Sequence, residues 1–269
     1  MKRQSLLLTL LVLLMISISA CGILQEPEAA SAPIEAVPLD VTDTAGQEEM
    51  DDADTTTAAD ANADENEVDD SEEMEESATE EPAVVEEPAT SGIVIYQISP
   101  EASQVRFELD EDLRGNRITV VGSTDQVAGE IGVDLNNLAA TEAGIIQINA
   151  RALATDNNFR NRAIKNEILK TDDYEFITFE PTAVNGLPDA AAVGDEVSFT
   201  IDGNLTVRDI TQPVTFELTV TVVSPEQISG TATTIINRGD FGLNIPSVPN
   251  VANVEEEVEL YIDFVANAK

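Results

Sequence analysis

The chain has 269 residues, with 52 Asp and Glu against 13 Lys and Arg, no His, no Trp and one Cys, for a formal charge of −39. Without His it lacks the commonest general base and the commonest metal ligand, which excludes Ser-His-Asp and Cys-His catalysis and His-ligated zinc sites. So acidic a surface speaks against nucleic acid as a partner, since phosphate binding needs cationic patches, and a single thiol allows no internal disulfide, so the fold must be held by its core.

Lys2 and Arg3 precede an apolar run from Leu6 to Ile18, followed by Ser19, Ala20 and Cys21. A charged start, a short greasy stretch and small residues before a cut describe a secretory signal over 1–20. The run is too short to span a bilayer comfortably. Small residues ending in Cys resemble the lipobox of bacterial lipoproteins. That resemblance implies that Cys21 is acylated, becomes the first residue of the mature chain, and anchors it in the cell envelope outside the cytoplasm. Stable anchoring requires more than one acyl chain, which lipoprotein acylation supplies.

Residues 21–90 follow as the lipidated Cys and a low-complexity linker. Between Glu26 and Glu87 there are 24 acids and no base, and the linker contains no aromatic residue. Such a segment cannot bury enough apolar surface to offset chain entropy, and it reads as a disordered acidic tether with a reach of roughly 45 Å.

Residues 91–269 form the folded domain, long enough for one substantial core, with 28 acids against 11 bases. Its pattern has period two. Val197, Phe199, Ile201, Leu205 and Val207 alternate with polar residues, as do Val214, Phe216, Leu218, Val220 and Val222, and Val258, Leu260, Ile262 and Phe264. One wet face and one buried face per strand is the signature of antiparallel sheet. Further strands are expected at 93–99, 103–109, 117–122, 127–134, 144–153, 174–184 and 228–237, separated by Gly and Asn turns. The spacing of Phe159, Ala163, Ile164, Ile168 and Leu169 predicts one short helix over 158–170, with Thr155, Asp156 and Asn157 as cap candidates. The expected fold is all-β, a barrel or sandwich with one helix packed against it or lidding it.

Several ordered motifs resemble the YceI-like, polyisoprenoid-binding family. They are Gly203-Asn204-Leu205-Thr206-Val207 through Ile210-Thr211-Gln212-Pro213-Val214, the run Arg160 to Asp172 with Tyr174 and Phe179, the turn Asn237 to Gly242, and the opening Tyr96-Gln97-Ile98 with Ser103, Val105 and Phe107. The sequence departs from the family pattern with Asp209 where most members have Gly, with Glu175 where Pro is frequent, and in lacking a helical His. The resemblance covers about 93–266. It implies an antiparallel lipocalin-like β-barrel whose elongated apolar cavity holds an isoprenoid chain. The pattern alone reads an inward Phe216 or Ile201 as core, and only the resemblance points to a cavity. Read with the resemblance, the candidate cavity residues are Phe107, Phe179, Phe199, Ile201, Phe216, Leu218, Leu260 and Phe264.

Arg160, Arg162, Lys165 and Lys170 make the one dense cationic spot of the domain, and Arg162 and Lys165, three apart, can share a helix face. They are the candidate head-group residues, against the plainer reading of a solvated helix face. Arg238 and Asp240 read as a structural turn pair. No catalytic residue, metal site or cofactor is expected. The sequence therefore points to a lipid-anchored binding protein for an isoprenoid-like lipid or quinone, touching the membrane through Cys21. The competing readings are a ligand-free structural or adhesion module on a tether and, with little support, an enzyme on such substrates.

Overall fold

The computed structural model describes residues 25–39 and 92–269. The signal segment, Cys21 and most of the acidic linker lie outside the described residues.

The domain contains the strands β1 (Val94–Ile98), β2 (Gln104–Leu113), β3 (Asn116–Thr124), β4 (Val127–Ala128), β5 (Glu130–Val133), β6 (Glu142–Ala143), β7 (Ile146–Asn149), β8 (Phe176–Asn185), β9 (Glu196–Val207), β10 (Ile210–Ser224), β11 (Gln227–Asn237), β12 (Val251–Ala252) and β13 (Glu257–Ala268). Their pairings are antiparallel, and the main path runs β4-β7-β8-β9-β10-β11-β13-β1-β5-β6. β2 pairs with β13 and β3. The sheet curls into a half-barrel that buries the apolar face of its alternating strands. Two-residue turns join β2 to β3, β9 to β10 and β10 to β11. At Arg114-Gly115 both residues have positive φ, 54° and 82°, which matches the right-handed twist of the β2–β3 hairpin.

Two expected strands are altered, one divided and one shortened. The run expected over 127–134 breaks at Gly129 into β4, which pairs with β7, and β5, which pairs with β1. The run expected over 144–153 ends early, because Asn149 caps a 3-10 turn over Ala150–Ala152. β12 lies in a Pro-rich loop with no period-two signal.

The helix α1 spans Asn158–Ala163 and continues as a π-helical turn over Ile164–Ile168. Of the three cap candidates Asn157 is the cap: its side-chain oxygen accepts from the backbone N–H of Phe159 at 2.9 Å and Arg160 at 3.2 Å. At the other end Arg208 donates to the Ile168 carbonyl at 3.2 Å and to the carbonyls of Phe241 and Gly242, each at 3.0 Å. One guanidinium thus ties the β9–β10 turn to the helix end and to the Arg238–Phe241 turn. Arg238 itself reaches the carboxylate of Glu256 and the carbonyls of Glu255 and Leu243, not Asp240, which corrects the turn pair expected from sequence.

The expected tether is also corrected at 25–39. These residues lie extended along the domain as a strap. Asn166 Nδ2 donates to the Gln25 carbonyl at 2.8 Å, and Arg151 pairs with Glu28 at 2.9 Å. The backbone N–H and hydroxyl of Ser31 both donate to Glu175 at 2.8 Å. Ile34 is buried, and the Leu39 N–H donates to Glu130 at 2.9 Å. Polar donors on the strap meet carboxylates on the domain, and one apolar residue enters the interface. At the two edges of the described segments Leu39 lies beside Glu130, the first residue of β5, and Gly92 lies against Asp134, just past the end of β5.

Candidate ligand-binding site

The concave face of the sheet encloses a cavity of about 490 Å³ and a smaller chamber of about 100 Å³. The larger volume falls in the range of about 300–1,000 Å³ typical of small-molecule sites. Strands β8, β9, β10 and β13 run past both. Along β8 the inward residues are Ile177 at the large chamber, Phe179 at both and Pro181 at the small one; along β13, Leu260, Ile262 and Phe264 follow the same order. Phe179, Phe216 and Ile262 border both chambers and form a waist.

The inward set read from the alternation is placed as follows. Phe107 and Leu260 line the large chamber. Phe199, Ile201, Leu218 and Phe264 line the small one. Phe179 and Phe216 line both. Two glycines make room for the largest rings. A Cβ at Gly122 would lie 2.3 Å from the Phe107 ring, and one at Gly203 would lie 2.4 Å from the Phe179 ring and 2.6 Å from the Glu180 carbonyl oxygen.

The large chamber is closed at one end by α1, the π-turn and the loop after the Arg238–Phe241 turn. Ala163, Ile164 and Ile168 face it from the helix, and Ile245, Val248, Val251 and Val254 face it from the loop. The loop escaped the sequence reading because its apolar residues recur every third position, which matches neither strand nor α-helix. Phe159, 67 % exposed, and the exposed Pro249 also line this chamber and mark its rim.

Arg162 and Lys165 lie outside the lining of both chambers. Arg162 approaches Glu26 of the strap at 4.0 Å, and burial holds the Lys165 ammonium below its usual pKa. Arg160 is the helix cation that lines the cavity. It pairs with Glu111 at 2.9 Å, the two side chains being 18 % and 8 % exposed, and with Asp156 at 2.6 Å. A sequence signal existed for this pair. On β2 the alternating positions Val105, Phe107, Leu109, Glu111 and Leu113 all line the cavity, and Glu111 is the one acid among them. An acid on an apolar face needs a buried partner.

The lining offers apolar contact, broken by Asn157 and by Arg106, Arg160 and Arg238, each paired with a carboxylate. Among the described residues no group of three or more His, Cys, Asp and Glu could hold a metal ion.

The YceI-like domain model matches residues 96–266, nearly the whole of this sheet and its helix. The chain belongs to the YceI-like family. Solved structures place the same fold in its relatives. A polyisoprenoid-binding domain from Saccharophagus degradans implicated in plant cell wall breakdown is 16 % identical, with 65 % of this chain and 99 % of that chain covered at a TM-score of 0.53. BcnA of Burkholderia cenocepacia is 18 % identical, with 63 % and 99 % covered at a TM-score of 0.51. Comparison with curated proteins gives no match. Membership of the YceI-like family supports an apolar-ligand-binding function in general terms.

Proposed function

We propose that this YceI-like protein holds one elongated, isoprenoid-type ligand in the cavity above the Phe179–Phe216 waist, as a carrier or sequestering protein of the cell envelope. The observation that carries this reading is the apolar void of about 490 Å³ inside the curled sheet. A structural or adhesion module would have filled that space, because empty volume lined by side chains forfeits their contacts. The polyisoprenoid-binding relative from Saccharophagus degradans, alike in fold, supports the ligand class. Acylation of Cys21 supplies the anchor, and the signal segment supplies export.

The polar end of the ligand is assigned to the Glu111–Arg160 pair rather than to Arg162 and Lys165. The arginines lining the large chamber already have carboxylate partners: Arg160 has Glu111 and Asp156, Arg106 has Glu108 and Asp263, and Arg238 has Glu256. A neutral oxygen, such as a quinone carbonyl, fits such a lining better than a pyrophosphate.

Thermal unfolding with an isoprenoid quinone and with a polyprenyl phosphate tests this. A ligand at a hundredfold excess over its dissociation constant stabilises by about 2.7 kcal/mol. We expect the quinone to raise the melting temperature and the phosphate to do so less. No response to either overturns the ligand class, and a larger response to the phosphate overturns the assignment of the polar end.

A further inference from the structure

The strap begins at the helix that closes the large chamber. Gln25 accepts from Asn166, and Glu26 faces Arg162. Gln25 lies four positions after Cys21, so even a fully extended chain keeps the two within roughly 14 Å. Asn166 in turn lies seven residues from Phe159, about 10 Å along a helix. Phe159 is 67 % exposed, lines the large chamber and carries a ring that water does not favour. Downstream the strap is held by Glu28 on Arg151, Ser31 on Glu175 and the buried Ile34, so this geometry is built into the fold.

We propose that the rim of the large chamber faces a lipid bilayer, with Phe159 seated in the interface. The strap, not a long tether, sets the distance of the domain from its anchor. An apolar ligand then passes between bilayer and cavity without crossing bulk water. Arg162 and Lys165 belong to the same helical segment as Phe159, and Lys170 follows two residues after its end, so cations of a net-acidic domain adjoin the rim and reduce its repulsion from lipid head groups. The inference rests on the reading of Cys21 as the anchor point and adds the orientation that this anchor imposes.

The chain has no Trp and one Cys, which gives a direct test. The chain from Cys21 onward is coupled through that thiol to a maleimide lipid in phosphatidylcholine vesicles whose acyl chains carry bromine. Phe159→Trp places a reporter at the rim. Val193→Trp places one at another exposed site, in the loop before β9 and outside the lining of either chamber. We expect the emission of the Phe159→Trp variant to be quenched and blue-shifted, and that of Val193→Trp to be unchanged. Adding Glu28→Lys and Ile34→Asp to Phe159→Trp should abolish the quenching while the protein still floats with the vesicles. Equal quenching of the two reporters, no quenching at the rim, or quenching that survives loss of the strap overturns the orientation. Chemical coupling makes the outcome independent of cellular acylation, so absence of lipid on Cys21 in the producing cell would overturn the anchor reading separately.

Discussion

The rings of Phe179 and Phe216 meet edge to face, with centroids 4.9 Å apart and planes at 70°. They come from β8 and β10, which are not neighbours but flank β9. Between them on β9 sits Gly203, opposite Pro181 on one side and Val214 on the other. The missing side chain lets the Phe179 ring cross β9 and reach Phe216. The contact is the waist that separates the two chambers.

Phe216→Ala should open the waist and join the chambers. Truncating a buried Phe costs about 3–5 kcal/mol, which chemical denaturation will read. The longer cavity should accept a longer chain, so the ligand showing the largest thermal shift in a series of isoprenoid quinones should be longer for the variant than for the parent. An unchanged optimum would show that the waist does not set ligand length.

Gly203→Ala should destabilise the domain by overpacking, at about 1–3 kcal/mol. The new methyl meets both the Phe179 ring and the Glu180 carbonyl oxygen. Phe179→Leu in the same chain should restore only part of the loss, because the carbonyl clash is backbone and stays. Full restoration, measured by urea unfolding, would place the whole strain on the ring.

Arg160→Leu alone should be costly, about 3–5 kcal/mol, because it leaves Glu111 buried without its partner. Joint replacement, Arg160→Leu with Glu111→Leu, should recover most of that stability, since an apolar pair can stand in for a buried ion pair. The double variant should bind a quinone and its fully apolar isoprenoid analogue alike, whereas the parent prefers the quinone. Retained preference would remove the pair from ligand recognition.

The strap should loosen in acid. Burial pushes the carboxylates of Glu175 and Glu130 up. For Glu175 this is outweighed by Ser31, Asn149 and Arg151, and for Glu130 by Lys269 and the Leu39 N–H, so both end below the ordinary value of 4.5. A carboxylate whose folded pKa is depressed stabilises fully above its unfolded pKa. That contribution is lost as pH falls below about 4.5 and through the folded values. Amide exchange over 25–39 should therefore accelerate below this point ahead of the sheet, and Glu175→Gln should blunt the dependence. A chain starting at Ser91 lacks the strap and should melt lower than the full mature chain. Burying Ile34 alone is worth about 1.5–3 kcal/mol.

The inward set from Phe107 to Phe264 was legible because side chains alternate faces along any strand, whichever strand lies beside it. The helix was legible from its 3.6-residue spacing and its Asn157 cap. Density of charge, by contrast, pointed to Arg162 and Lys165, while the packing of the helix on the sheet turned Arg160 inward to Glu111. Glu111 on the apolar face of β2 was the readable half of that pair; its partner lies 49 positions away. The strap was hidden for the same reason. Residues 25–39 have no periodicity, and their partners Glu130, Arg151 and Glu175 lie more than 90 residues along the chain. Local pattern decides which face a residue takes, because that depends only on backbone geometry. Which residues meet across the void, and which polar groups find a partner, depends on contacts between distant segments, and only the tertiary structure decides it.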